Sequence, residues 1–234
     1  TATTEIYTSL HDALPISPRM KPQKRTQAKK FMSLKKATFV IILILLLDQI
    51  SKFYIKTHFV LGEEIRVFEW FRILFVENEG MAWGAKIPGQ YGKLFLTLFR
   101  IVAIGGIGYW LWDSVRKNAP NILIFCIALI FAGALGNIID SVFYGIIFND
   151  SHHHVATLFP EGGGYGTLFH GKVVDMLYFP LYGGTLPDWV PFWGGEYFTF
   201  FDPVFNIADS SISVGVILLL LFNKRAFPKK NVEG

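Results

Sequence analysis

The chain has 234 residues, of which 52% are hydrophobic and 16% aromatic, and its mean hydropathy is +0.39. Charged residues make up only 17%, against roughly 25% in soluble domains, which argues against a large soluble core and points to a membrane protein. The net charge of +4 does not mark a nucleic-acid binder, because the basic residues cluster at the ends of apolar segments, where they report membrane topology.

Residues 1–31 show no sustained period and no apolar signal-sequence core. They read as a non-native or disordered leader, with Met32 opening a single membrane domain over 32–230 and a short tail at 231–234. Four apolar segments approach the roughly 20 residues that a spanning helix needs: 37–56, 94–112, 121–140 and 205–222. Lys35 and Lys36 precede the first, Arg116 and Lys117 follow the second, and Lys224, Arg225, Lys229 and Lys230 follow the fourth. The positive-inside rule then puts both termini and the 113–120 loop in the cytoplasm and the loops at 58–93 and 141–204 outside. In the first outer loop, "EEIRVFEWFRILFVENEGMAWG" is rich in β-branched and aromatic residues and broken by Gly80 and Gly84, which predicts short strands at the membrane interface. The second outer loop carries "EGGGYG" and "LPDWVPFWGGEYFTFFDP", expected as interfacial or flexible coverings. The fold class is therefore membrane α-helical: four transmembrane helices, both ends cytoplasmic, with a small extracytoplasmic β-rich cradle and an extended second outer loop.

An unpaired polar group in hydrocarbon costs several kcal/mol, so polar residues inside the spans carry most of the information. Asp48 and Lys52 stand four apart in "LLLDQISKFY", on one helix face, where their charges neutralise each other. Asn137 and Asp140 stand three apart in "GALGNIIDS", and Asn206 and Asp209 repeat that spacing in "FNIADSSI". Asp175, in "FHGKVVDMLYFP", has apolar neighbours that hold it near the membrane surface. Asp48 lies some way along span one, Asp140 at the outer end of span three and Asp209 at the outer start of span four. At about 1.5 Å of rise per residue, these groups converge near the outer leaflet. Two carboxylates brought close share one proton. One then activates water on a carbonyl while the other protonates the products, with Asn side chains orienting them or stabilising the oxyanion. Gly80 and Gly136 permit close approach of backbone or substrate.

Other chemistry is weaker. Cys126 is a packing residue in an apolar span. Ser51 and Lys52 are adjacent rather than facing, which disfavours a Ser/Lys dyad. His152, His153 and His154 read as a solvated loop without metal-ligand spacing. Arg100 reads as a snorkelling side chain or a lipid-headgroup contact.

Five motifs in order, "DQISK", "ENEGMAWG", "GALGNIID", "VVDM" and "FNIADSSI", resemble those of the lipoprotein signal peptidase (signal peptidase II) family, four-helix aspartyl proteases of bacterial membranes. The resemblance runs from about Leu34 to the C-terminus. It implies that Asp175 and Asp209 are the catalytic dyad. It further implies that Asp48 and Lys52 form the first-span polar pair and that Asn78 and Gly80 help hold substrate. Asn137 and Asp140 match a supporting motif, and Asn206 and Ala208 flank the second acid. The implied substrate is a prolipoprotein whose lipobox cysteine already carries a diacylglyceryl group, cleaved just before that cysteine, with membrane lipid as the other partner. No metal or organic cofactor is implied; a monomer of the inner membrane is expected, its site facing the outer leaflet. Ser141 stands where many members have Arg, and Lys172 is the candidate replacement for that charge. Two readings from other classes are a proton- or ion-coupled transporter using Asp48, Lys52, Asp140 and Asp209 as a relay, and a non-catalytic scaffold glued by polar contacts.

Overall fold

The computed structural model describes residues 31–79 and 91–228; Gly80 and Gly84 lie outside the described residues. Among the described residues, three helices are long and apolar enough to cross a membrane: α1 (Leu34–His58), α2 (Gly92–Arg116) and a third running over Asn121–Ile147. The third consists of α3 (Asn121–Ile139), a π-helical turn (Asp140–Tyr144) and the short α4 (Gly145–Ile147). A fourth apolar helix, α5 (Ile207–Leu221), has 15 residues and is followed by α6 (Asn223–Ala226).

These boundaries correct the sequence reading at two points. Span three does not end at Asp140; its carboxylate is fully buried and ion-paired, so the helix continues past it. Span four begins at Ile207 rather than at 205, because Asn206 caps it: the Asn206 side chain accepts from the Asp209 N–H (2.8 Å) and the Asp209 carboxylate accepts from the Asn206 N–H (3.3 Å). This reciprocal box satisfies two otherwise unpaired N–H groups.

α3 is the central helix, packed by α1, α2 and α5. Its buried Ala128, Ala132, Gly133 and Gly136 let neighbouring backbones approach, the usual basis of helix association where lipid removes the hydrophobic driving force. A Cβ at Gly133 would collide with the Ala208 carbonyl and stand 2.7 Å from Ile212 Cγ1. Across the same seam Ser211 Oγ donates to the Leu129 carbonyl at 2.8 Å. Phe39, Ile42, Ile50, Phe95, Phe99 and Val102 point outward and exposed, an apolar surface suited to lipid.

Strands β1 (Glu64–Phe68), β2 (Phe71–Asn78), β3 (Val173–Tyr178) and β6 (Val204–Phe205) form one antiparallel sheet in the order β1-β2-β3-β6. The 141–204 loop is thus more than a covering: it supplies half of the sheet that the 58–93 loop begins. Its aromatic stretch is also ordered, with β4 (Tyr182–Thr185) and β5 (Tyr197–Phe200) pairing as a separate hairpin. The Gly-rich stretch folds back on the π-helical turn, where Gly164 and Gly171 lie too close to the backbone of Gly145, Ile146 and Asp140 to carry a Cβ.

The α3–α5 seam gives a direct test. Gly133→Ala is expected to lower stability by about 1–3 kcal/mol through overpacking against a backbone carbonyl, outweighing the gain in helix propensity of about 1 kcal/mol. Gly105→Ala, where a Cβ meets open space, should leave the thermal midpoint in detergent unchanged or raised.

Candidate active site

The site is built outward from one ammonium group. Lys52 Nζ lies 2.9 Å from Asp48 Oδ2 and 2.8 Å from Asp140 Oδ2, and it donates to Asn137 Oδ1 at 2.9 Å. All three charged side chains are fully buried. Two carboxylates around one cation leave lone pairs that the ammonium does not reach, and further donors satisfy them. Gln49 Nε2 donates to Asp48 Oδ2 (3.0 Å) and Asp140 Oδ1 (2.9 Å), and is itself held by Tyr144, whose hydroxyl donates to Gln49 Oε1 at 3.2 Å. The Ala208 N–H donates to Asp48 Oδ1 (2.9 Å) and the Val174 N–H to Asp140 Oδ2 (3.3 Å). The first of these fixes the N-terminus of α5, the second fixes β3, and each of those elements carries one acid of the proposed dyad.

Asp175 on β3 and Asp209 in the first turn of α5 are joined by two asparagines. Asn206 Nδ2 donates to Asp175 Oδ1 at 2.7 Å, to the Val174 carbonyl at 3.2 Å and to Asn137 Oδ1 at 3.1 Å. Asn137 Nδ2 donates in turn to Asp209 Oδ1 at 2.7 Å. The Asn78 amide donates to Asp175 Oδ2. The two acids have unlike surroundings. Asp175 is 3% exposed, and burial, reinforced by the negative charge of Asp209, pushes its carboxyl up to about 8 against the pull of Lys52, Asn206 and Asn78. Asp209, in the first turn of α5, accepts from Asn137 and from the Asn206 N–H.

The described residues thus bring together Asp48, Lys52, Asn78, Asn137, Asp140, Asp175, Asn206, Ala208 and Asp209; the remaining predicted member, Gly80, lies outside them. Ala208 contributes its backbone N–H and its small size rather than a polar side chain. Lys172 does not take over pairing of Asp140, the acid that an Arg at position 141 would follow. Lys172 Nζ stands 3.4 Å from Glu77 Oε2, Asp140 is served by Lys52, and Ser141 Oγ donates to the Asn137 carbonyl at 2.9 Å. Gln49 was passed over in the sequence although it lies inside the "DQISK" motif, one residue from Asp48. Arg100 is half-buried and lines a shallow apolar groove between α2, α3 and α5, with Ile104, Ile107, Ala134, Asn137 and Ile212. Through Asn137 the groove reaches the hydrogen-bond network of Asp209. His152 sits on an exposed loop with its ring 2.7 Å from Asp150 Oδ1.

The chain is similar over most of its length to proteins of one family. A family model described as Signal peptidase (SPase) II matches residues 40–224. The chain is 56% identical to a lipoprotein signal peptidase of Porphyromonas gingivalis over 183 residues, 78% of this chain and 80% of the relative. It is 36% identical to a lipoprotein signal peptidase of Amoebophilus asiaticus over 198 residues, 83% of this chain and 79% of the relative. A solved bacterial membrane enzyme superposes with a TM-score of 0.57 at 25% identity, covering 88% of this chain and 98% of its own.

The central ammonium makes a clear prediction. Lys52→Met leaves Asp48 and Asp140 buried without a counter-charge, which should cost about 3–5 kcal/mol. Thermal unfolding of purified protein in detergent should show a large drop in midpoint, and an unchanged midpoint would remove Lys52 from its central role.

Proposed function

Since the chain belongs to the signal peptidase II family, we propose that its peptidase chemistry is carried by Asp175 and Asp209 acting on a single water molecule. Family membership also displaces the transporter and scaffold readings. The observation that carries the dyad is the Asn206–Asn137 bridge, which holds the two carboxylates from separate elements in one hydrogen-bonded unit.

In this reading Asp175 holds the proton at neutral pH and Asp209 is the base. Asp209 takes a proton from water as the water oxygen bonds to the scissile carbonyl carbon, and Asp175 gives its proton to the carbonyl oxygen. The tetrahedral diol then collapses. The C–N bond breaks, the leaving amine takes the proton from Asp209, and a diol hydroxyl returns one to Asp175. No covalent intermediate is needed. Asn78 and Asn206 orient Asp175 throughout, and Asn78 with Gly80 helps hold the substrate.

The substrate we infer is a prolipoprotein cut immediately before a diacylglyceryl-modified lipobox cysteine. An apolar groove that reaches from the lipid-facing helices to Asn137 supports a substrate that arrives partly embedded in lipid. Basic residues at Lys35, Lys36, Arg116, Lys117, Lys224 and Arg225 support an orientation with both ends of the domain cytoplasmic and the dyad toward the outer leaflet of the bacterial inner membrane. Residues 32–230 act as one peptidase domain, and a monomer suffices because one chain supplies both acids.

Asp175→Asn and Asp209→Asn should each reduce cleavage of a diacylglyceryl-modified precursor by about 10²- to 10⁴-fold while the protein stays folded; substantial turnover by either variant breaks the dyad assignment. The pH profile supplies a second test. A carboxyl raised to about 8 keeps its proton below that pH and loses it above. Wild-type kcat should therefore hold through neutral pH and decline as pH rises past about 8, and a rate that keeps climbing beyond pH 9 contradicts Asp175 as the proton holder.

A further inference from the structure

A second buried charge cluster lies one helical turn from Lys52 and takes no part in the chemistry described above. Lys56, four residues after Lys52 on α1, is fully buried and pairs with the Glu77 carboxylate, whose side chain is only 2% exposed. Lys56 Nζ also donates to Ser151 Oγ at 2.7 Å. It lies 5.7 Å, 5.8 Å and 4.9 Å from the ring centres of Phe75, Phe148 and Tyr165. Lys172 Nζ approaches the other Glu77 oxygen at 3.4 Å, and the Tyr165 hydroxyl accepts from the Lys172 N–H at 2.6 Å. The stretch between α4 and β3 thus closes over this pair.

The position of Glu77 on β2 gives the cluster its meaning. Successive strand residues point to opposite faces. Phe75 and Glu77 face the aromatic cluster with Val174 and Met176, while Val76 and Asn78 share the other face with Asp175. Val76 pairs with Asp175, Glu77 with Val174 and Asn78 with Val173. The β2–β3 ladder changes register between Ile73 and Val76, so one strand pair holds two registers that differ by one residue. A one-residue slip moves every side chain to the opposite face. If the register at Arg72 and Ile73 ran on to the end of β2, Asn78 would leave the face of Asp175 and Glu77 would take it. Buried ion pairs add little net stability, and the role left to them is to fix which of two arrangements forms.

We propose that the Lys56–Glu77 pair is a positioning device for the active site: it ties the end of β2 to α1 in the register that lets the Asn78 amide reach Asp175. The proposal rests on the reading of Asp175 as a functional acid. The groups facing Asp175 are Asp209 and Asn206 from the α5 end, Lys52 from α1 and Asn78 from β2. Removing the Asn78 donor takes away one of the contacts that restrain its carboxyl, so a loosened β2 should carry the proton-loss limb of the pH profile upward.

The test is a mutant cycle measured on cleavage of a diacylglyceryl-modified precursor by the full-length protein. Lys56→Met with Glu77→Met removes both charges at similar volume, so the thermal midpoint should be kept. The expected result is a fall in kcat of about 10- to 100-fold, the scale of a small misplacement of a reacting group, with KM within about twofold. The limb near pH 8 should move upward. In an Asn78→Ala background the Met pair should have no further effect, because both changes remove the same contact. A wild-type kcat in the Met pair overturns the proposal, as does a loss that multiplies in full with that of Asn78→Ala. If the Met pair does not fold, Glu77→Gln is read in the same cycle by the same criteria. Cleavage by Asp175→Asn would count against the dyad, whereas independence of positions 77 and 78 counts against the positioning device, so the two failures are distinct.

Discussion

The placement of one ammonium group between two buried carboxylates is the constraint on which the rest depends. Lys52, Asp48 and Asp140 are all removed from solvent, and the effective penalty for each ion is several kcal/mol. Such a triad persists only if nearly every remaining lone pair has a donor. Gln49 serves both acids, while Ala208 and Val174 contribute backbone N–H groups. Satisfying the triad therefore pins the start of α5 and the strand β3 to the α1–α3 pair. The energetic requirement of the charges and the positional requirement of the site are met by the same bonds.

That arrangement also gives two similar side chains unlike surroundings. Asp175 comes from a strand, under cover and opposed by Asp209, whereas Asp209 occupies the first turn of a helix. The capping box that starts α5 also uses the Asp209 carboxylate, so the helix cannot begin one residue earlier or later without moving the acid. Asn206 has three duties: it caps the helix, donates to Asp175 and reaches Asn137. A residue with one donor group and one acceptor group at the tip is suited to such a junction.

The parts of this design visible in the sequence are those set by local spacing. Asp48 and Lys52 four apart, and the two Asn–Asp pairs three apart, mark shared helix faces without any knowledge of tertiary structure. Polar residues in apolar spans also announce themselves, because lipid leaves them no solvent partner. What stayed hidden depends on distant pairing. Nothing in "VENEG" shows that Glu77 turns inward to Lys56, since an acid in an interfacial strand reads as exposed until its partner is known. The insertion of β3 and β6 into a sheet begun by β1 and β2 joins segments about a hundred residues apart. Hydropathy placed the third span's end at Asp140 because it prices an acid as unpaired, whereas Lys52 removes the reason to stop. The proximity of Asp175 to Asp209 came from the ordered motifs and not from spacing.

The length of α5 bears on where the chemistry takes place. Its 15 residues rise about 22 Å, several ångströms less than a hydrocarbon layer of about 30 Å. With Lys224 and Arg225 at the cytoplasmic surface, as proposed, the N-terminus of α5 and the dyad lie beneath the outer edge of the hydrocarbon rather than above it. Aromatic rings gather at the start of α5. Phe205 stacks on Phe179 with centres 5.6 Å apart and meets Phe201 edge-on at 6.1 Å, and Phe179 continues the stack to Phe71 at 4.9 Å. Aromatic groups are favoured near a membrane interface. In the proposed substrate the scissile bond lies beside a cysteine tethered by two acyl chains and cannot rise far from the membrane, which suits the proposed dyad at a depth just inside the membrane edge. On that reading the shortness of the fourth helix sets the enzyme's reach, fixed by the same Asn206–Asp209 cap that starts the helix.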